Sequence, residues 1–436
     1  MTEKIEQFFN FKELKTNFRT EIIAGITTFV SMAYILFVNP NVLGASGMDK
    51  GAVFSATALT TALGCMIMGV VAKYPFTVAP GLGINAFFTF TVVKGMGVSW
   101  KTALAGVFLA SIIFILITAF KVREAIINAI PQDMKLAIAA GIGLFIAFLG
   151  LQEGGLIVDN PSTLVGLGSL RVGTTWLTIF GIFVTVILMV KKVPGSVFIG
   201  MVGTTIVGIV TQLIPLPTKI ISSMPSLKPT FMVAPQHLGD FNSIQMWMVV
   251  LTFLMVTFFD TAGTLVALAQ QGGFMKNNEL PRVGSALAAD STTMMVGSLL
   301  GTSPTSAYVE ASSGIAVGGR SGFTSVIVSI LFVLSLFFSP LLSIITSNVT
   351  APALIVVGVL MATSLKEINW DKLEIAIPAF MTLVTMPLTY SISDGIAIGF
   401  IFYPITMITA KRGKEVHPLV YALALIFILF FWITNN

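Results

Sequence analysis

Read from the N-terminus, the chain is a succession of apolar stretches separated by short polar or glycine- and proline-bearing segments. A helix needs about 20 apolar residues to cross the hydrocarbon core of a bilayer. Stretches of that kind fall at 22–39, 52–72, 74–93, 102–120, 133–151, 174–190 and 195–213. A loop rich in Pro and Ser follows at 215–245, and a second series runs at 246–270, 283–300, 304–318, 322–346, 350–366, 373–390, 393–410 and 417–434. The pattern predicts an all-α polytopic membrane protein. Two stretches, 74–93 and 304–318, are poor plain helices, because Pro, Gly and polar residues stand at what should be mid-membrane depth.

Composition agrees. Of 436 residues, 55% are hydrophobic and 10% charged, against about 25% charged in a soluble domain. So little polar surface cannot cover a water-facing exterior, and lipid must solvate most of it. The net charge of +5 invites a nucleic-acid reading, but Lys and Arg sit between apolar runs, where they anchor loops at a membrane face. No nucleic-acid partner is expected; the lipid bilayer is. The one cysteine, Cys65, allows no intrachain disulfide and no Cys-based metal site. The opening MTEKIEQFFNFKELK does not read as a cleaved signal peptide.

The Lys/Arg bias of short loops sets orientation. Lys12, Lys15 and Arg19 precede the first span and predict a cytoplasmic N-terminus. Lys121, Arg123 and Lys135, Lys191 and Lys192, Lys276 and Arg282, Arg320, and Lys366 and Lys372 all fall on that side. Lys73, Lys94 and Lys101 are partial exceptions. Lys411, Arg412 and Lys414 belong there too if 373–410 crosses twice, which gives 14 transmembrane segments. Segment 417–434 reads either as a fifteenth span or as a helix lying at the interface.

The proline-rich loop divides these spans into seven and seven, and the halves echo each other. Phe29–Tyr34 in span 1 corresponds to Phe258–Gly263 in span 8, and the broken PGLGINAFF (80–88) to the broken SPTSAYVEASSG (303–314). Ser31 and Asn85 stand 54 residues apart, Asp260 and Glu310 50. Seven is odd, so the second half must enter inverted. A 7+7 inverted repeat with helices interrupted at matching positions is a transporter signature, and such breaks are tolerated only where backbone is buried in protein or lines a cavity.

An acid at the bilayer centre costs about 2.5–3.5 kcal/mol on insertion scales, and three stand deep in spans: Asp260, Asp290 and Glu310. Asp260 has no Lys or Arg nearby in sequence. It reads as a substrate or proton site, or as a hydrogen-bonded tie between kinked helices. Glu310 follows the break Gly301–Pro304, near the free N–H groups of a half-helix. Asp290, among Ser and Thr, fits a structural or a proton-coupling role equally. Asn85 holds in the first half the position of Glu310 in the second, and can bind ligand or cap a helix. Thr77, Thr302, Ser303, Thr305 and Ser306 can satisfy backbone freed at the breaks. Asp394 reads as a helix N-cap, and Glu153 and Asp159 as loop residues. Phe87, Phe88, Phe259 and Tyr308 lie beside these polar positions, where a flat aromatic ligand could stack. Each alone also fits plain packing. No Walker A loop and no HExxH occur, the two histidines (His237 and His417) lie in loops, and the pairs Gly81/Gly83 and Gly141/Gly143 lack a strand–helix setting. Neither a cofactor nor an enzymatic reaction is expected; without an ATP site, transport would be driven by a gradient or be passive.

Five strings carry a resemblance: TTFVSMAYILFVNP (27–40), APGLGINAFF (79–88), FFDTAGT (258–264), GTSPTSAYVEASSGIAVGGRSG (301–322) and MPLTYSISDGIAIGF (386–400). Together, in order and across the chain, they resemble the AzgA-like purine permeases of the nucleobase–ascorbate/uracil–xanthine transporter superfamily. The resemblance implies a fold of uracil-permease type, with short antiparallel strands in spans 3 and 10, each followed by a half-helix. It implies a core domain from 1–120 (spans 1–4) and 246–346 (spans 8–11), and a gate domain from 121–214 (spans 5–7) and 347–436 (spans 12–14 and the C-terminal segment). Residues 215–245 would be the linker. It further implies a homodimer in the cell membrane that imports a purine nucleobase with a proton by elevator-like movement. Asp260 and Glu310 would bind the purine, with Asn85 assisting and Phe259, Tyr308, Phe87 and Thr305 around it. Asp260, Glu310 or Asp290 would carry the proton. Ala307 and Ala311 depart from the usual tenth-span pattern, leaving the carboxylate in place and the purine preference open. An anion transporter or channel on the same scaffold, or a membrane receptor without transport, are the competing readings.

Overall fold

The computed structural model describes residues 2–119, 130–217, 219–240, 244–275 and 280–434. Lys121, Arg123 and Lys276, used above for orientation, lie outside them. After a short N-terminal helix, α1 (Thr2–Phe8), the first half runs α2 (Phe18–Met32), α3 (Ile35–Gly44), α4 (Lys50–Ile67), β1 (Val78–Pro80), α5 (Leu82–Ala86), α6 (Trp100–Ala119), α7 (Gln132–Glu153), β2 (Ile157–Asn160), β3 (Leu164–Leu167), α8 (Gly173–Val190) and α9 (Ser196–Val210). After α10 (Val233–Gln236) the second half runs α11 (Ile244–Gly272), α12 (Val283–Leu300), β4 (Thr305–Ala307), α13 (Ala311–Ala316), α14 (Gly322–Ser335), α15 (Ser347–Ala362), α16 (Leu373–Thr389), α17 (Ile392–Thr409) and α18 (Pro418–Thr434).

Every predicted apolar stretch forms an element, and eight helical stretches among the described residues are long and apolar enough to cross a membrane. Shorter apolar helices occupy most of the remaining positions. The chain is a mostly helical, multi-pass membrane protein. Helix starts follow local chemistry. Asn17 accepts from the Thr20 amide (3.0 Å), Asp49 from Ala52 (2.7 Å) and Ser321 from Phe323 (3.2 Å). The start of α17 corrects an expectation. Its N-cap is Ser391, which accepts from the Asp394 amide, so Asp394 sits in the first turn and is not the cap. A second correction concerns 157–167, which is no plain loop: β2 and β3 form a hairpin in which Asp159 pairs with Val165.

Both poor helices are broken as expected. β1 and β4 pair antiparallel, with Val78 opposite Ala307, Ala79 opposite Ser306 and Pro80 opposite Thr305. α5 follows β1 directly and continues in wider turns through Phe87–Gly95, and α13 follows β4. Backbone polar groups that a helix would have satisfied internally are thus satisfied across the pair. Gly301 makes the turn into β4. Its φ of +101° is left-handed, and a Cβ there would lie 2.1 Å from Thr230 Cβ, so only glycine fits.

Packing sorts the helices into two groups. α7, α15, α16 and α17 pack together, with α8 and α9 alongside. α2, α3, α4, α6, α11, α12 and α14 form the second group, enclosing β1, β4 and the two half-helices.

Candidate functional site

The β1–β4 pair is buried at every position. Beside it a cavity of about 860 Å³ lies between the two helix groups. One wall comes from Ser31 and Tyr34, the start of α5 (Gly81–Ile84), α11 (Val256, Asp260, Gly263, Thr264) and the segment Ser306–Glu310. The other comes from α7 (Ala139, Ile142), the turn Lys192–Val197, and α15 (Val357, Leu360, Met361). Its volume is that of a small-molecule site, and its lining is apolar with a few convergent polar groups.

Asp260 and Glu310, from opposite ends of the second-half repeat segment, both border this chamber. Asp260 stands midway along α11, on the chamber wall with Ser306 of β4. Glu310 occupies the residue before α13, and its carboxylate accepts from the Tyr34 hydroxyl. Tyr308 also lines the chamber; its hydroxyl donates to Pro80 O (2.6 Å) and its amide to Thr77 O (2.9 Å), tying β4 to β1. The Ser31 hydroxyl bridges to Ser313 of α13 (2.8 Å). The first amides of α5 sit at the wall, where helix geometry leaves them without intrahelical acceptors.

The other expected site residues stand elsewhere. Asn85 is fully buried away from the chamber wall. Its Nδ2 donates to Asn39 Oδ1 (3.0 Å), and its Oδ1 has no partner among the described residues. Phe87 and Phe88 are buried in the core, with Phe87 edge-on to Phe253 at 5.1 Å. Thr305, the first residue of β4, and Asp290 behind that strand are both buried. The Thr261 hydroxyl donates to Asp290 Oδ2 (2.6 Å), and the Thr305 hydroxyl to Asp290 Oδ1 (3.3 Å). The Ala307 amide in turn donates to Thr261 (3.3 Å), so Asp290 ties α11, α12 and β4 together. The Phe259 side chain lies outside the described residues.

Sequence reasoning missed three functional or organising side chains. Tyr34 lies in a segment that aligns the halves and carries part of the resemblance, and nothing in its own stretch announces a carboxylate partner 276 positions away. Asn39 was hidden as one polar residue in an apolar run. Glu21, one residue before the predicted first span, is fully buried. It accepts from the Thr16 hydroxyl (2.7 Å), the Arg320 and Ser321 amides (3.0 and 3.2 Å) and the Thr324 hydroxyl (2.6 Å). This set of bonds pins α2 to the start of α14.

Comparison with known proteins agrees with this architecture. A family model described as a permease family matches residues 19–433. The guanine/hypoxanthine permease PbuG of Bacillus subtilis is 59% identical over 436 residues, covering 98% of this chain and 99% of PbuG. The adenine permease AdeP of Escherichia coli is 41% identical, covering 98% of this chain and 95% of AdeP. Among solved structures, the transmembrane domain of the cyanobacterial bicarbonate transporter BicA superposes with a TM-score of 0.64 at 16% identity, over 90% of this chain and 97% of that one. SLC26A9 gives 0.64 at 10% identity, over 94% and 69%. With a family match across nearly its whole length and relatives this similar, the chain is a membrane transporter, not an enzyme, and belongs to the permease family of nucleobase–ascorbate/uracil–xanthine transporters.

Proposed function

We propose that this chain imports purine nucleobases, guanine and hypoxanthine foremost, across the cell membrane together with a proton. The observation that carries the reading is that Asp260 and Glu310 border one chamber beside the paired strands β1 and β4, each of which runs into a half-helix. A neutral purine offers ring N–H and exocyclic amino donors to the two carboxylates. Its ring nitrogens and carbonyl accept from backbone amides at the half-helix starts. Tyr308 supplies an aromatic face at the wall. Asp260 is the favoured proton carrier, because it reaches the chamber from a spanning helix. Relatives named for guanine/hypoxanthine and adenine transport point to the same substrate class.

In this reading the chain crosses the membrane fourteen times with its N-terminus in the cytoplasm. The group holding β1 and β4 is the moving core, and the group of α7–α9 and α15–α17 is the gate, paired in a homodimer. The chamber borders Lys192, on the basic and therefore cytoplasmic side, so it is open inward. An anion carrier on this scaffold would need positive potential at the site, whereas Lys192 is the one Lys or Arg on the described wall and two acids face it.

Uptake of labelled hypoxanthine by bacteria lacking their own purine carriers tests the reading, with guanine, adenine, uracil and bicarbonate as competitors and a protonophore as control. Glu310→Gln and Asp260→Asn should each cut uptake by roughly tenfold or more at normal membrane abundance, as expected when a buried hydrogen-bonding partner is lost. Uptake that persists in both variants removes the site; competition by bicarbonate instead of guanine removes the substrate.

A further inference from the structure

We infer that Asn39 is a positioning residue for the chamber: one side chain closes the end of the β1–β4 pair at which the chamber-lining start of α5 leaves β1 and the chain enters β4. This inference rests on the purine reading above. The strands are three residues each, and a two-stranded ribbon that short is marginal by itself. In the antiparallel register Pro80 faces Thr305. The chain leaving β1 toward α5 and the chain arriving at β4 through Ser303 therefore lie at the same end. One backbone bond continues the pairing there, from the Gly81 amide to Pro304 O at 2.9 Å.

Beyond that bond the joint is made by Asn39, which is fully buried on α3. Its Oδ1 accepts from Asn85 Nδ2 of α5 (3.0 Å) and from the Ser303 hydroxyl (3.3 Å). Its Nδ2 donates to the Thr302 hydroxyl (2.8 Å) and to the Thr57 hydroxyl of α4 (2.8 Å). Both amide ends are used fully, and the orientation is fixed. Thr57 gives its own proton to Val53 O, so it can only accept, and a rotated amide would bring oxygen to oxygen there. None of these residues is on the chamber wall. Asn39 therefore acts at one remove: Asn85 follows the wall residues Gly81–Ile84 by one position, and Ser303 precedes the wall residue Ser306 by three. The far end of β4 has its own anchor in Thr261, which accepts from the Ala307 amide, and Asp290 holds Thr305 within β4, so loss of Asn39 chiefly loosens the join between α5 and the segment entering β4.

The test is equilibrium binding of labelled hypoxanthine to purified full-length protein, counting sites per folded molecule and recording thermal unfolding alongside. Asn39→Ala should raise Kd at least tenfold with the number of sites per folded molecule unchanged. Asn39→Asp keeps the acceptor for Asn85 and Ser303 but sets an oxygen against the Thr57 hydroxyl oxygen, so it should leave Kd raised, and Thr302→Val, which removes one of the four bonds, should raise Kd less than Asn39→Ala. A merely structural residue would lower the unfolding midpoint and the yield but leave Kd as it was, and that result overturns the inference. If Asn39→Ala yields no folded protein, Thr302→Val decides, and an unchanged Kd there overturns it equally. Failure of the parent protein to bind any purine would instead strike the functional reading, and is seen before any variant is made.

Discussion

The Tyr34 hydroxyl donates a hydrogen bond to the Glu310 carboxylate, joining the break between α2 and α3 to the break between β4 and α13. Each interrupted segment thus delivers one partner to the same chamber wall. A hydrogen bond to a charged group contributes about 1.5–3 kcal/mol, and here it also fixes which way the carboxylate points. Tyr34→Phe keeps the ring and removes the donor. It should weaken hypoxanthine binding by roughly tenfold, about 1.4 kcal/mol, with membrane abundance unchanged. Titration calorimetry on the purified variant checks this, and an unaltered affinity would mean that the carboxylate is held by something else.

Gly83 of α5 packs against Ile142 of α7, where the two helix groups meet at the chamber wall. A Cβ on it would lie 2.3 Å from Ile142 Cγ2, and overpacking of that kind costs about 1–3 kcal/mol. Gly83→Ala should therefore lower the maximal uptake rate, and Ile142→Ala added to it should restore most of the loss by making room. A double variant slower than Gly83→Ala alone would show that this contact does not limit transport.

Asp290 sits behind β4, held by Thr261 and Thr305, and off the chamber wall. Asp290→Ala strands the buried hydroxyls, at about 1–3 kcal/mol, and should lower the thermal midpoint measurably. Asp290→Asn keeps one acceptor oxygen. It should transport with the parent's pH dependence at somewhat lower stability. A flat pH profile in a well-folded Asp290→Asn would return this acid to the proton path.

Outside the membrane, Asp240 fastens the central loop to α6. Hydrogen bonds from His237 (3.0 Å) and from the Thr102 hydroxyl (2.9 Å) hold its carboxyl below the usual aspartate range. With the folded value lowered, the stabilisation is complete above the unfolded value of about 3.9 and is lost as pH falls through the lower folded value. Asp240→Asn should accordingly flatten the fall in unfolding midpoint between about pH 5 and pH 3. A parallel fall in parent and variant would assign the acid limb to other groups.

Much of the architecture was legible because lipid punishes deviation. Pro80 and Pro304, with glycines and hydroxyls around them, fit poorly in a regular lipid-exposed helix, so the two breaks and their correspondence could be read directly. Asp260 and Glu310 stood out for the same reason, and both border the chamber. Asn85 and Phe87 were harder. Repeat symmetry put Asn85 level with Glu310, but α5 turns it toward Asn39 and the core, while Phe87 packs on Phe253. A one-residue step along a helix rotates a side chain by about 100°, and no local pattern distinguishes chamber from core when both are apolar. Asp394 and Ser391 differ by less than one turn, the usual uncertainty of a helix end.

The sequence by itself determined that this is a helical membrane protein in two related halves, where its helices break, and which acids stand too deep to be idle. Those are one-dimensional facts: runs of apolar residues matched to a bilayer, and charges whose burial needs a reason. Tertiary structure alone decided which acid faces the chamber and which is bolted behind a strand, that Tyr34 meets Glu310, and that Asn39 joins both broken segments. Those relations depend on contacts between positions 15 to 276 residues apart, and hydrogen-bond geometry across such separations is written in no local pattern of residues.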